Sequence, residues 1–141
     1  MGTVEQDELD VAAVVEQYRL GFATLDVETL HEIWDQSYEN IIYIPQESAH
    51  PVLGWAAVEQ YYKRVASLLR AKMMTVSGLS VNVIGDVAYA FCTFHFEGEL
   101  KGKNHAADGR NTFILHRKNG AWKVIHYHES GPGPLEMADK A

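Results

Sequence analysis

Gly109-Arg110-Asn111-Thr112-Phe113-Ile114-Leu115-His116-Arg117-Lys118-Asn119-Gly120-Ala121-Trp122-Lys123-Val124-Ile125-His126-Tyr127-His128-Glu129-Ser130 sets two runs rich in β-branched and aromatic residues on either side of Lys118-Asn119-Gly120. Asn-Gly between such runs is the strongest short-range signal of a β-hairpin. Strand side chains alternate between faces, so the second arm divides into Trp122, Val124, His126 and His128 on one side and Lys123, Ile125, Tyr127 and Glu129 on the other. Neither row is simply polar. The sheet is therefore expected to be covered on both faces, by the chain's own helices on one and by a second subunit on the other.

The rest of the chain is consistent with one domain spanning 1–141. At 141 residues it buries roughly two-thirds of its unfolded surface, enough for a core without staples. A formal net charge of −7, with twelve scattered Lys and Arg, argues against a nucleic-acid partner, because phosphate binding needs clustered cations. Cys92 is the single cysteine, so no intrachain disulfide forms and a reducing, cytoplasmic location is expected, with Cys92 inert in an apolar strand. Met1 to Asp10 lacks the apolar core of a secretory signal, and no run approaches the roughly 20 apolar residues of a membrane span.

Apolar residues at Val11, Val14, Val15, Tyr18, Phe22 and Leu25 mark an amphipathic helix that Asp7 or Asp10 could cap. A second helix starts at an Asp26 cap, turns Leu30, Ile33 and Trp34 inward and ends near Ser37. Asn40 to Ile44 reads as a short strand stopped by Pro45, and Gln46 to Leu53 as a loop. Gly54 to Ala71 returns to helical period, with Trp55, Val58, Tyr62, Val65 and Leu69 on one stripe. Period two follows: strands Met73 to Ile84 and Val87 to Leu100, then a loop Lys101 to Asp108 leading into the hairpin. The ends, 1–8 and 133–141, are expected to fray. This order gives an α+β fold: three N-terminal helices packed on one face of a curved, mainly antiparallel sheet, a cone with a pocket at its open end.

Tyr18…Asp26, Tyr43-Ile44-Pro45, Gly54-Trp55 and the ending Asn119-Gly120-Ala121-Trp122-Lys123-Val124-Ile125-His126-Tyr127-His128-Glu129-Ser130-Gly131 resemble the nuclear transport factor 2-like superfamily. Within it the chain looks like the SnoaL-like branch, nearest to small proteins related to the association domain of calcium/calmodulin-dependent protein kinase II. The resemblance implies the cone fold, a sheet-mediated homodimer or higher homo-oligomer, and a pocket row of Ile125, Tyr127 and Glu129. It implies little about activity, since this superfold hosts isomerases, cyclases, dehydratases, epoxide hydrolases and oligomerisation modules. The association domain lines its pocket with arginines, and the matching positions are Thr93, Phe113 and Glu129, while its helix histidine matches Val58. That exchange favours a neutral or cationic ligand. In the ketosteroid isomerases, enzymes that work with a raised carboxyl pKa, the oxyanion-binding tyrosine corresponds to Tyr18, while Ile44 falls where they keep the general base. An isoleucine cannot abstract a proton.

Two chemical readings remain. His126 and His128 share a strand face at a spacing two metal-bound imidazoles need, but a third ligand from His116 or Asp108 has no motif to support it, so no metal and no other cofactor is expected. The resemblance puts Thr93 in the pocket, and His95 shares its strand face, so that across the pocket it implies, Glu129 and His95, with Tyr18, are the candidate acid-base groups. Trp34, Ile44, Trp55, Val58, Tyr62, Phe91, Thr93, Asn111, Phe113 and Tyr127 are the candidate substrate contacts. The competing assignment leaves Glu129 a solvated strand-end carboxylate, His95 on the surface and the aromatics in the core. The corresponding functions are a cofactor-independent isomerase, cyclase or dehydratase acting on a small apolar substrate, or a non-catalytic ligand-binding or oligomerisation module.

Overall fold

Thr3 begins the first helix by accepting a hydrogen bond from the Gln6 N–H, and α1 (Val4–Thr24) buries Val11, Val15 and Tyr18 along one face. The computed structural model describes residues 3–135; residues 1–2 and 136–141, part of the ends expected to fray, lie outside the described residues. Helical structure from Val4 corrects the expected start at Val11. Asp7 does not cap this helix. Its buried carboxylate accepts from Arg117 Nη1 at 2.7 Å and Trp122 Nε1 at 3.2 Å, while the guanidinium lies 4.9 Å from the Trp122 ring centre. This knot fastens the start of the helix to the far end of the hairpin. Arg117→Met is expected to destabilise the fold by about 2 kcal/mol, because Asp7 would keep its desolvation without its cation. Urea unfolding checks this, with Asp7→Asn/Arg117→Met expected to recover roughly half of the loss.

Asp26 accepts from the Thr29 N–H and caps α2 (Val27–Glu32). The helix stops well before Ser37 because the chain leaves it to pair with the hairpin: Val124 donates to Ile33 O at 2.8 Å and Asp35 to Val124 O at 3.0 Å. After β1 (Ile42–Ile44), part of the expected loop is strand, β2 (Val52–Leu53). The third helix, α3 (Trp55–Leu68), passes directly into β3 (Leu69–Ile84), where Leu69 already pairs with Leu100, so the expected helix end at Ala71 is three residues too long. β4 (Val87–Leu100) follows.

The expected loop from Lys101 to Asp108 is a correction of more consequence. Lys101 (φ 53°) and Gly102 (φ 79°) form a two-residue turn with both residues left-handed, and β5 (Lys103–Lys118) pairs with β4 from its first residue. Asn119 (φ 53°) and Gly120 (φ 80°) repeat that turn before β6 (Ala121–Ser130). The six strands form one sheet in the order β2-β1-β6-β5-β4-β3, antiparallel throughout except for the parallel pair β1 and β6. Register shifts between Ala71 and Met73 and between Ser77 and Ser80 interrupt the β3–β4 ladder, the kind of irregularity that bends a sheet.

A third shift decides the faces of the hairpin. Ile114 pairs with His126 but Leu115 with Val124, which leaves Ile125 as an extra, unpaired residue. This bulge resets the alternation of β6. Trp122 and Val124 face the helices below it, Tyr127 and Glu129 face them above it, and all four are buried. Neither row expected from strict alternation survives intact: each is split at Ile125. No helix among the described residues is long and apolar enough to cross a membrane.

Candidate functional site

A cavity of about 480 Å³ opens between α1, the loop after β1, α3 and the inner faces of β3 to β6. Period-two alternation on β4 turns Cys92, Phe94 and Phe96 toward the helices, and Phe94 and Phe96 join Phe22, Met74, Leu69 and Leu100 as apolar wall. Tyr18 comes from the buried stripe of α1, Tyr43 from the strand ended by Pro45, and Glu129 from the end of the inward row on β6. Gln46, Glu47, Ser48, Tyr61, Arg64 and His105 border the mouth.

Behind Glu129 runs a buried chain of hydrogen bonds. Tyr127 Oη donates to Glu129 Oε1 at 3.0 Å, so it accepts from Asn111 Nδ2 at 3.1 Å and from Tyr18 Oη at 2.5 Å. Asn111 Oδ1 in turn accepts from Cys92 Sγ at 2.8 Å, which fixes which way the amide points. Tyr43 stacks on Tyr127 with ring centres 5.1 Å apart. Each polar atom of this chain is satisfied, as a buried network requires.

Burial pushes the Glu129 carboxyl up to about 7, with the Glu47 charge acting in the same direction and hydrogen bonds from Tyr127 and the Gln46 backbone holding it back. Burial also lifts the phenols of Tyr18, Tyr43 and Tyr127 well above their ordinary range, so they stay neutral donors. Glu47, which hydrogen-bonds Tyr61, is open to solvent on one side yet hemmed in by protein enough to raise its carboxyl. A carboxyl that titrates near neutrality beside a rigid phenol relay can hold or release a proton at the cavity wall.

Of the residues singled out by the sequence, Tyr18 and Glu129 line the cavity, with Tyr127, Asn111 and Phe113 packed directly behind them. Tyr62 and Trp34 lie deeper, where Trp34 Nε1 donates to Tyr62 Oη at 3.0 Å; Val58 is fully buried and Trp55 packs edge-on against His31. Ile44 points away, and its neighbour Tyr43 occupies the wall. Phe91, Thr93 and His95 require a correction. Thr93 pairs with the exposed Arg110, whereas Cys92 pairs with the buried Asn111, so this row of β4 lies on the outer face. There His95 bridges Glu97 at 2.7 Å and Asp108 at 2.6 Å, and those two hydrogen bonds raise its pKa. It does not meet Glu129 across a pocket.

His126 and His128 share the outer face, with ring centres 6.4 Å apart. Neither expected companion reaches them: Asp108 holds His95, and His116 holds Asp35 at 2.7 Å. Among the described residues no three His, Cys, Asp or Glu side chains are grouped so as to hold a metal ion. Cys92 is buried, and burial lifts its thiol to about 11, which makes it a poor nucleophile. Sequence reasoning missed Phe94 and Phe96, although the alternation of β4 carried them, and missed Glu47, which sits in a loop with no periodicity to read.

A SnoaL-like domain family model matches residues 11–134. Three solved structures illustrate the likeness in fold. A candidate dehydratase of the nuclear transport factor 2-like family from Streptomyces avermitilis is 18% identical, with a TM-score of 0.77, covering 92% of this chain and 99% of that one. A candidate calcium/calmodulin-dependent protein kinase II association domain from Xanthomonas campestris is 18% identical, with a TM-score of 0.73 and coverage of 95% and 91%. A ketosteroid isomerase-like protein from Erwinia carotovora atroseptica is 14% identical, with a TM-score of 0.74 and coverage of 91% and 98%. No curated protein matches the sequence. With a family model spanning nearly all of the described fold, the chain belongs to the SnoaL-like family, and it shares its fold with structures described as nuclear transport factor 2-like.

Proposed function

We propose that this protein is a cofactor-independent enzyme that moves a proton on a small, largely apolar substrate, as an isomerase, cyclase or dehydratase does. The observation that carries the reading is Glu129: a carboxyl buried at the wall of an apolar cavity, titrating near neutrality and tied through Tyr127 to Tyr18. In its ionised form Glu129 takes a proton from substrate carbon, and in its protonated form it returns one to another atom of the same molecule. Tyr127, backed by Tyr18, donates to the ionised carboxylate before the first step and after the second, while Glu129 carries the proton between them. The neighbours described as a candidate dehydratase and as ketosteroid isomerase-like support a reaction of this class. A turnover screen of small carbonyl and hydroxy compounds tests it. Activity is expected to fall in Glu129→Gln and in Tyr18→Phe and to persist in His95→Ala, and equal turnover in all three would remove the proposal.

The same reading gives the protein a homodimeric assembly through the outer face of the sheet and a cytoplasmic location. In support of the dimer, Tyr89 and Phe91 are 41% and 39% exposed on the face opposite the helices, beside His126 and His128. Phe91→Asp is expected to turn a dimer into a monomer in sedimentation velocity at micromolar concentration. A monomeric wild type under those conditions would sink the assembly.

A further inference from the structure

Among the described residues, the buried carboxylates are matched with cations, with one exception. Asp7 is held by Arg117, and Asp35 by His116 at 2.7 Å and Lys118 at 3.5 Å. Glu129, 9% exposed, has hydrogen-bond donors, but no Lys, Arg or His nitrogen of the described residues lies within 4.0 Å of it. Glu47, whose charge bears on Glu129, is equally without a cation. Arg64 and His105 border the mouth, both exposed and neither paired with these carboxylates. The space in front of Glu129 is walled by the rings of Tyr18, Phe22, Tyr43, Phe94 and Phe96.

Carboxylates without a cation beside aromatic rings attract one kind of guest, a cation with an apolar body, since ring faces and carboxylates both favour positive charge that has left water. We propose that the cavity's substrate carries a basic nitrogen on an apolar skeleton, the nitrogen lodged by Glu129 and Glu47 and the skeleton against Phe22, Phe94, Phe96 and Met74. This deepens the enzymatic reading of the cavity and rests on the cavity being the ligand site. An anion is disfavoured at Glu129, which has no donor cation to offer it. The amine would supply the missing partner of Glu129, leave the carboxylate ionised as a base, and be held by the same contacts that orient it.

Isothermal titration at about pH 8 with naphthylmethylamine, naphthylmethanol and naphthoate, three probes of one shape and different charge, tests the inference. The amine is expected to bind at least about tenfold more tightly than the alcohol, and naphthoate most weakly. Glu129→Gln is expected to abolish the amine's advantage over the alcohol and Glu47→Gln to reduce it; circular dichroism verifies that both variants fold. Equal binding of amine and alcohol, or tightest binding of naphthoate, would overturn the inference while leaving the cavity a ligand site. Binding by none of the three would overturn both.

Discussion

Glu129→Gln is expected to lower kcat/KM by about 10²–10⁴-fold, the usual worth of a positioned acid-base group, and at the same time to make the protein more stable at pH 8. The two effects share one cause. Burial moves the carboxyl from its ordinary 4.5 to about 7, so between those values the folded chain keeps a proton that the unfolded chain has lost. Wherever the folded state binds more protons, stability falls as pH rises, and the full loss, about 3 kcal/mol, is present above pH 7. Gln keeps an oxygen to accept from Tyr127 and never ionises. Wild type and variant should therefore have similar stability near pH 4 and diverge through pH 7, with the variant ahead by up to about 3 kcal/mol. Glu47, which remains in the variant with its carboxyl raised, leaves a weaker slope of the same sign. Urea unfolding from pH 4 to 8 measures the divergence, and a rise of kcat/KM through about pH 7 in wild type is its kinetic counterpart. Parallel stability curves for the two proteins would mean that Glu129 is not protonated in the folded state at neutral pH.

The expected gain in stability on removing the acid fits the way the site is built. A carboxyl that costs stability above neutrality is held in place by a relay of hydrogen bonds rather than by a salt bridge. Tyr127 is central to this, since its single proton goes to Glu129 while its lone pairs are occupied by Tyr18 and Asn111. Asn111 is oriented by Cys92, whose burial-raised thiol is a poor nucleophile and whose Sγ fixes the amide.

Much of this was readable in the residues, and the parts that were not share a physical origin. Element type and order follow from periodicity over long windows, so the three helices, the hairpin at Asn119-Gly120 and the α+β class were legible. A bulge inserts one residue into a ladder and leaves no mark on composition, so the reset at Ile125 could not be read from alternation. The resemblance implies a pocket row of Tyr127 and Glu129, and both are buried on the helix-facing side; strict alternation fails below the bulge, where Trp122 and Val124 also turn inward. His95 failed for a different reason. The resemblance sets its row, through Thr93, on the same face as Phe113, whereas the ladder sets Phe113 opposite Ala90 and Thr93 opposite Arg110. Lys101-Gly102 is a weaker turn signal than Asn119-Gly120, because lysine takes positive φ less readily than asparagine, and the polar strand start that follows it hides the hairpin further.

Gly109→Ala is expected to destabilise the protein by about 3 kcal/mol and to weaken any ligand of the cavity at least tenfold, although Gly109 touches no part of the site's chemistry. Gly109 faces Phe94 across the β4–β5 ladder, and the Phe94 ring lies over it: a Cβ there would sit 2.5 Å from Phe94 Cζ, 2.6 Å from Cε1 and 2.8 Å from the Ser130 carbonyl oxygen. The carbonyl belongs to the ladder and cannot retreat, so the ring must move. The ring borders two hollows, the cavity it already walls and a second one shared with Gly109 and the Pro132 to Leu135 stretch, and a shift into the first takes up ligand space. The added methyl thus converts a packing clash into lost ligand volume. For a chain of this size the stability cost corresponds to a fall in Tm of about 10 °C. Gly109→Ala/Phe94→Leu separates the two consequences, because a smaller side chain at 94 clears the methyl: stability should recover by at least half, and naphthylmethanol affinity with it. A single variant that melts and binds like wild type would show that Phe94 does not rest on Gly109, and the wall of the cavity would have to be sought elsewhere.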